Sequence, residues 1–297
     1  MNSDLNAEAA APRHFTCRDN LRLHYRDVGP RPGEAAGTTV LCLPGLTRNS
    51  RDFAPLARRL ADKRRVLMLD GRGRGQSDYA ANPNDYRAET DLDDILQFLA
   101  ATGAHKVVAI GTSFGGAMVQ ALAAIRPCVL AGAILNDIGP TVGWGPVSHL
   151  LKAFTDEQPI ADWNHAVDEL KRLIPELGLK DDDHWLEAAK GTWRESADGR
   201  LRLDFDLRLV GVWLRRGVGD HDLWALWRAL RPFPTLLVRG AISQVLTAET
   251  AAKMKETKPD LRVVEVPGVG HAPSLIEPEA WSAIDSFLAN VDARGHA

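Results

Sequence analysis

The chain has 297 residues, of which 45% are hydrophobic and 25% charged, and its formal net charge is −3. This length and composition suit a globular protein with a sizeable core, and the lack of a basic excess excludes a general nucleic-acid binder. Three cysteines without paired spacing, Cys17, Cys42 and Cys128, argue against a disulfide framework or a cysteine-based metal site.

The first residues of the chain predict no structured element. Residues 1–12 lack the basic start and apolar core of a signal peptide, and we predict a disordered tail there. No apolar run in the sequence reaches the length of a membrane span. We therefore expect a cytoplasmic protein without a membrane partner.

After this tail, strand patterns come first and then alternate with helical patterns. Residues 14–17 and 21–28 are predicted to form the two strands of a hairpin. Apolar runs then alternate with amphipathic stretches, which predicts strands at 38–43, 65–69, 106–110 and 131–135 and helices at 53–60, 89–101 and 116–125. Continuous apolar strands that alternate with helices indicate a parallel sheet covered on both faces.

The alternation stops near Pro140 and resumes with predicted strands at 235–238 and 261–266 and helices at 248–256 and 279–291. The interruption of about 90 residues is far longer than an ordinary connection between a strand and a helix. It holds seven of the eight tryptophans, and its short helices are predicted at 150–154, 166–174, 185–190 and 223–230. These rings either form the core of a small insert or, for one or two of them, line an apolar pocket. We therefore divide the chain into a core of residues 13–139 and 231–297 and a helical cap of residues 140–230.

The pentapeptide Gly111-Thr112-Ser113-Phe114-Gly115 stands between the predicted strand 106–110 and the predicted helix 116–125. A G-x-S-x-G sequence between a strand and a helix is typical of a nucleophile elbow, a tight turn that lifts the serine hydroxyl clear of the backbone. Glycine is needed on both sides because a Cβ atom there would clash within so tight a turn. Ser113 is therefore the candidate nucleophile.

A serine hydroxyl is a weak nucleophile that needs a base and a set of donors for the oxyanion. His271 lies in a Gly/Pro-rich loop after the last predicted strand. Loops that follow parallel strands gather at one edge of the sheet, so His271 is the candidate base. The loop Leu43-Pro44-Gly45-Leu46 follows the first central strand, and we expect the amides of Leu46 and Phe114 to form the oxyanion hole.

In these segments the chain resembles α/β-hydrolase fold proteins, and among them the carboxylesterases and meta-cleavage-product hydrolases that carry a helical cap. The resemblance rests on residues 43–46, the Gly-rich turn 70–77, the elbow 111–115 and the histidine loop 269–272, in the family's order. It implies an eight-stranded, mostly parallel sheet flanked by helices, with a helical cap inserted over the carboxyl ends of the strands. The turn 70–77 lacks the lysine and the spacing of a phosphate-binding P-loop. Epoxide hydrolases and haloalkane dehalogenases resemble one another in using an aspartate at the elbow. This chain has a serine there instead.

One position departs from the family's pattern. In most relatives the acid of the catalytic triad follows the strand at 235–238, and the corresponding residue here is Gln244. A glutamine accepts a hydrogen bond from histidine but cannot balance the imidazolium charge. Some relatives carry the acid one strand earlier, and Asp137 is our candidate for that role, unless it merely closes its strand as an Asx turn before Pro140. Two alternatives stay open, a Ser–His dyad in a slow enzyme or binding protein, or an introduced change at Gln244.

We therefore predict a serine hydrolase that cleaves carboxylic esters through an acyl-enzyme. A cap rich in tryptophan, leucine and proline favours an uncharged, moderately apolar substrate, such as a short-to-medium acyl or aryl ester or a lactone. The alternative enzyme is a carbon–carbon bond hydrolase acting on a dienone acid, whose carboxylate would need cap groups such as Arg194, Arg208 or Arg215. The non-enzyme alternative, prompted by Gln244, is a ligand sensor. No metal or cofactor is expected, a small-molecule ester is the expected partner, and a homodimer stays open.

Overall fold

The computed structural model describes residues 13–295, apart from 31–33, 35–36, 156–159 and 217–222. The predicted tail, residues 1–12, lies outside the described residues. The strands are β1 (Arg13–Thr16), β2 (Arg22–Val28), β3 (Thr39–Leu43), β4 (Val66–Leu69), β5 (Val107–Thr112), β6 (Leu130–Asn136), β7 (Trp193–Glu195), β8 (Leu201–Leu203), β9 (Thr235–Gly240) and β10 (Arg262–Val266). The α-helices are α1 (Ala54–Leu60), α2 (Ala88–Ala101), α3 (Phe114–Ile125), α4 (Trp144–Ala153), α5 (Trp163–Leu173), α6 (Asp182–Lys190), α7 (Leu207–Arg216), α8 (Trp224–Ala229), α9 (Ala248–Thr257) and α10 (Pro278–Gly295).

Eight strands of the described chain form one sheet in the order β1-β2-β4-β3-β5-β6-β9-β10. β1 and β2 pair as the predicted hairpin, and β2 runs antiparallel to β4. The remaining neighbours, from β4 across to β10, are all parallel. The predicted eight-stranded, mostly parallel sheet is confirmed, and each of its predicted strands is found within two residues of its predicted ends.

The register places the ends of the central strands side by side. Leu43 of β3 pairs with Gly111 of β5, and Thr112 of β5 pairs with Asn136 of β6. Asn136 is in turn opposite Val238 of β9. The loops that follow these four strands therefore leave the sheet along one edge, where ligand sites of open α/β sheets form.

The sheet is buried on both faces because successive side chains of each strand point to opposite faces. Leu41 and Leu69 lie in a hydrophobic cluster with residues of α2 and α3. Val40 and Cys42 lie in a second cluster with residues of α1 and α10. Burial on both faces is the reason that the parallel strands appear in the sequence as continuous apolar runs.

The segment between β6 and β9 supplies most of a third hydrophobic cluster, which includes the buried rings of Trp185 and Trp193 and, from the core, Ala80 and Tyr86. The expectation of a purely helical insert needs one correction, because β7 and β8 form an antiparallel hairpin within it. Each of these strands has only three residues, too few for an alternating pattern to be read from the sequence. The sequence also fails to predict α7, where Gly211 stands among the weak helix formers Val210, Val212 and Trp213.

In the part of the chain that the structure describes, no helix combines the length and the apolar character needed to cross a bilayer.

Candidate active site

The predicted elbow lies between β5 and α3. Ser113 has φ 50° and ψ −118°, a left-handed backbone conformation that costs a residue with a side chain roughly 1–3 kcal/mol. A Cβ atom added to Gly115 would lie 2.0 Å from the carbonyl oxygen of Leu43, and one added to Gly111 would lie 2.4 Å from the backbone of Gly115. Both glycines are therefore required by the backbone packing that bends the chain at Ser113.

The structure brings His271 to Ser113. His271 follows β10, and its Nε2 atom lies 2.9 Å from Ser113 Oγ. Two contacts hold the histidine loop in place: the side-chain amide of Asn136 donates to the carbonyl of Pro273 at 2.7 Å, and the amide of Gly270 donates to the carbonyl of Glu176 at 2.6 Å. One of these anchors comes from the sheet and the other from the insert.

The structure also brings Asp137 to His271. Asp137 follows β6 directly, its side chain is 0% exposed, and its Oδ2 atom lies 2.8 Å from His271 Nδ1. The Oδ1 atom accepts a hydrogen bond from the amide of Gly240 at 3.0 Å, and Oδ2 accepts a second one from Ser243 Oγ at 2.5 Å. The side chain of Asp137 therefore contacts His271, Gly240 and Ser243, and its role is not limited to an Asx turn at the end of β6.

Gln244, the residue at the family's usual acid position, is exposed to solvent. Both ring nitrogens of His271 are engaged by Ser113 and Asp137 instead. The chain of contacts from hydroxyl to imidazole to carboxylate is complete without Gln244.

The loop that carries Leu46 passes next to Ser113, because a Cβ atom on Gly45 would lie 3.9 Å from Ser113 Cβ. Phe114 opens α3, where the first amides of a helix have no acceptor within the helix. Neither the amide of Leu46 nor that of Phe114 donates a hydrogen bond within the described residues. Both are therefore available to a substrate oxygen.

Arg74, in the Gly-rich turn after β4, supports this loop and was not among the predicted site residues. Its Nε atom donates to the carbonyl of Leu46 at 2.6 Å, and its guanidinium lies 5.6 Å from the centre of the Phe114 ring. A buried ion pair with Asp91, at 2.8 Å, holds it in place. The sequence carries no signal for this role, which follows only from the contacts that Arg74 makes.

Asp70 holds the same turn together. Its carboxylate accepts hydrogen bonds from the amides of Ser50 and Gln76 at 2.6 and 3.0 Å, and from His24 at 2.8 Å. Burial by itself raises the pKa of Asp70, but the hydrogen bonds from His24 and from the backbone outweigh it and lower the pKa. An ionised carboxylate therefore fixes the turn that presents Arg74.

The insert contributes an aromatic wall to the site. The rings of Trp213 and Phe114 meet edge to face, with centres 5.2 Å apart and planes at 76°. Trp185 and Trp193 instead build the insert's own core, and Trp227 packs into the core of the sheet. The first interpretation of the tryptophans, that they build a core, therefore applies to Trp185, Trp193 and Trp227; that Trp213 lines a pocket stays a prediction.

The cationic residues considered for a substrate carboxylate are mostly occupied. Arg208 pairs with Asp206 at 2.6 Å, and Arg194 faces Asp204 at 3.6 Å. Arg215 is exposed at the end of α7. Within the described residues, no three His, Cys, Asp or Glu side chains are grouped so that they could hold a metal ion.

Comparisons with known proteins agree with this geometry. The family profile described as alpha/beta hydrolase fold matches residues 38–163. The 3-hydroxybutyrate-oligomer hydrolase of Cupriavidus necator is 30% identical over 265 residues, which cover 86% of this chain and 90% of that protein. The 2-(acetamidomethylene)succinate hydrolase of Mesorhizobium japonicum is 28% identical, with 96% of this chain and 99% of that protein covered.

Among solved structures, an alpha/beta hydrolase from Novosphingobium aromaticivorans superposes with a TM-score of 0.87 at 39% identity, over 94% of this chain and 98% of that chain. The sheet order and the elbow define a hydrolase of the α/β class. The chain belongs to the α/β-hydrolase family, and within it resembles the meta-cleavage-product hydrolases.

Proposed function

We propose that this α/β-hydrolase is a serine hydrolase that cleaves carboxylic esters through an acyl-enzyme. The observation that carries the proposal is the continuous hydrogen-bond chain from Ser113 Oγ to His271 Nε2, at 2.9 Å, and from His271 Nδ1 to Asp137 Oδ2, at 2.8 Å. A nucleophile, a base within reach of its proton and an acid that orients the base are the parts that acyl transfer to serine needs.

In the proposed reaction, Ser113 Oγ forms a bond to the ester carbonyl carbon while its proton passes to His271 Nε2. The Asp137 carboxylate, which contacts His271 Nδ1, stabilises the imidazolium that forms. The amides of Leu46 and Phe114 donate hydrogen bonds to the carbonyl oxygen as negative charge develops on it. His271 then returns the proton to the departing alcohol oxygen, and the same residues activate a water molecule that releases the acid from the acyl-enzyme.

The surroundings of the serine favour an uncharged acyl group of short to medium length, an aryl ester or a lactone. The rings of Phe114 and Trp213 give the site an apolar wall, and the carboxylates of Asp204 and Asp206 counter the charges of Arg194 and Arg208. The relative named for hydrolysing 3-hydroxybutyrate oligomers supports a short hydroxyacyl ester within this class.

The two alternatives receive less support. A dienone acid needs free cationic groups, and Arg194 and Arg208 are already paired. A ligand sensor was suggested by the missing acid at Gln244, and a carboxylate from Asp137 meets the histidine in its place. All three cysteines are free thiols, which agrees with placement of the enzyme in the reducing cytoplasm.

Labelling with a fluorophosphonate probe tests the proposal. We expect the wild-type protein to be labelled and to hydrolyse p-nitrophenyl butyrate, and Ser113→Ala to lose both properties. Ser196→Ala, which removes an exposed hydroxyl from the hairpin of the insert, is the control and is expected to keep both. Unlabelled wild-type protein would contradict the nucleophile, and faster turnover of a ring-fission dienone acid than of the ester would favour the carbon–carbon bond hydrolase.

A further inference from the structure

The loop after β9 is the place where most relatives carry the triad acid, and here it is a closed, rigid turn. Arg239, which is buried, donates from Nε to the carbonyl of Leu246 at 2.9 Å and so joins the two ends of the loop. Its Nη1 atom pairs with Glu265 on β10 at 2.6 Å. The buried polar residue between these ends is Ser243, which is 6% exposed.

The hydroxyl of Ser243 has all of its hydrogen-bonding capacity assigned. It accepts hydrogen bonds from the amides of Val245 at 3.3 Å and Leu246 at 3.2 Å. A serine hydroxyl has two lone pairs and one hydrogen, so its hydrogen is directed at the remaining neighbour. That neighbour is Asp137 Oδ2, at 2.5 Å.

Both carboxylate oxygens of Asp137 therefore have hydrogen-bond partners in the protein. The amide of Gly240 fixes Oδ1, while Ser243 and His271 share Oδ2. A fully buried carboxylate stays charged only when such donors replace water. Two of the three donors, Gly240 and Ser243, come from the end of β9 and the loop after it, although the carboxylate itself comes from the end of β6.

We propose that Ser243 is a positioning residue for the triad acid: it orients the Asp137 carboxylate toward His271. The loop that would carry the acid at Gln244 thus supplies the acid's support instead. This inference rests on the proposed serine hydrolase function. Ser243 acts on the reaction through Asp137 and does not touch the substrate.

The kinetic test compares Ser243→Ala with Ser243→Thr. A hydrogen bond to a charged group contributes enough that its removal is expected to lower kcat roughly 10- to 100-fold, with KM changed less than about twofold. Ser243→Thr keeps the hydroxyl and is expected to recover most of the lost rate. Gln244→Ala, at the exposed neighbour, and Thr257→Val, which removes a hydroxyl bonded to Trp227 Nε1, are the controls and are expected to keep the wild-type kcat.

A double-mutant cycle separates positioning from a general loss of structure. If Ser243 acts only through the carboxylate, Ser243→Ala lowers kcat in the wild-type background but adds nothing to the loss caused by Asp137→Asn. Multiplicative losses in the double variant would overturn the proposal, and so would a wild-type kcat in Ser243→Ala.

A readout without substrate keeps this proposal apart from the proposed function. The proton between His271 Nδ1 and Asp137 gives a far-downfield NMR signal, assigned by its loss in His271→Gln, and we expect Ser243→Ala to shift that signal. A shifted signal in a protein that cleaves no ester would support the positioning role and contradict the esterase. An unshifted signal with an active wild-type enzyme would contradict the positioning role alone.

Discussion

The backbone of Asp137 is bent into a left-handed conformation, with φ 53°, which aspartate tolerates better than most residues with a side chain. This bend directs the carboxylate sideways from the end of β6 toward the neighbouring end of β9, where Gly240 and Ser243 receive it. The position of a single carboxylate therefore depends on two adjacent strand ends. A substitution that removes the charge of the Asp137 side chain but keeps its size tests the role of that charge.

Replacement of Asp137 by asparagine is expected to lower kcat on the order of 10⁴-fold, as an acid-to-amide change does in a serine protease. The amide cannot stabilise the imidazolium, and its NH₂ group can donate to His271 Nδ1, which favours the wrong tautomer. Steady-state kinetics on p-nitrophenyl butyrate measures the effect, with thermal unfolding as the check on folding.

The complementary substitution is Gln244→Asp. Because Gln244 is exposed and both nitrogens of His271 are already engaged, we expect kcat to change by less than about twofold, as for an ordinary surface substitution. An increase of orders of magnitude, together with full activity in Asp137→Asn, would show that the acid has been assigned to the wrong strand.

Residues with a local signal could be predicted from the sequence, and residues that depend on packing could not. Ser113 stands in a motif, and His271 and Asp137 each follow an apolar strand, so all three were candidates before the structure. Ser243 and Arg74 are recognised only from the atoms they meet, Asp137 Oδ2 and the carbonyl of Leu46. Nothing in the spacing along the chain indicates those meetings.

Among the elements, the contact between α3 and the loop after β3 has the least space. Gly115, in the first turn of α3, lies against the backbone of Leu43 and Pro44. The surrounding atoms are main chain, so they cannot move aside as the end of a flexible side chain does. The loop that presents Leu46 can therefore pack this closely against α3 only because Gly115 has no Cβ atom.

Substitution of Gly115 by alanine is expected to destabilise the fold by about 2 kcal/mol or more, because the new Cβ atom lies 2.0 Å from the Leu43 oxygen. Hydrolysis should fall in parallel, since the oxyanion loop must shift. Urea unfolding and ester kinetics measure the two effects.

Gly145, in the first turn of α4, is the control for this substitution. A Cβ atom there would meet nothing within 4 Å, so Gly145→Ala is expected to stabilise the helix by up to about 1 kcal/mol. Equal stability of the two alanine variants would contradict the packing argument.

The strands and helices of the sheet were predictable because their burial on both faces leaves a strong apolar pattern. The insert was predictable only in part. Its hairpin is held by partners elsewhere in the chain, such as the bridge between Leu201 and Ile160. Three-residue strands with distant partners leave no pattern of their own.

At the scale of the whole molecule, the insert is attached to the core by more than its two chain ends. Asp204, just after β8, accepts hydrogen bonds from Asn49 at 3.1 Å and from Arg51, and its backbone carbonyl accepts from the amide of Gly75 at 2.8 Å. Asp206 accepts a hydrogen bond from the hydroxyl of Tyr86 at 2.5 Å. These two carboxylates join the insert to the loops beneath the site.

The pKa values of the two carboxylates are shifted in opposite directions. Burial and the nearby charge of Asp70 raise the pKa of Asp204 from 3.8 to about 6, in spite of Arg51 and Arg194. Burial also acts to raise the pKa of Asp206, but hydrogen bonds from Arg208 and Tyr86 outweigh it and lower the pKa. Relative to the unfolded chain, the folded state therefore favours the protonated form of Asp204 and the ionised form of Asp206.

The stability of Asp204→Asn relative to wild type is expected to rise with pH. The raised pKa of Asp204 stabilises the folded state fully below about pH 4, and this contribution, up to roughly 3 kcal/mol, is lost as the pH rises through 6. The loss of the Arg51 ion pair offsets part of the gain near pH 7. The midpoint of thermal unfolding, measured for both proteins from pH 4 to pH 7.5, gives the difference.

Asp206→Asn serves as the control with the opposite sign. Its lowered pKa stabilises wild type above about pH 4, and this advantage is lost as the pH falls. Parallel curves for the two asparagine variants would contradict the assignment of the two carboxylates.

The neighbouring ends of β6 and β9 bear on how hydrolases are surveyed in genomes. A survey that inspects only the position of Gln244 would miss the carboxylate that contacts His271 in this chain. Inspection of both strand ends, and of the short polar side chain that joins them, would recover it. The same rule applies wherever two adjacent turns face one imidazole.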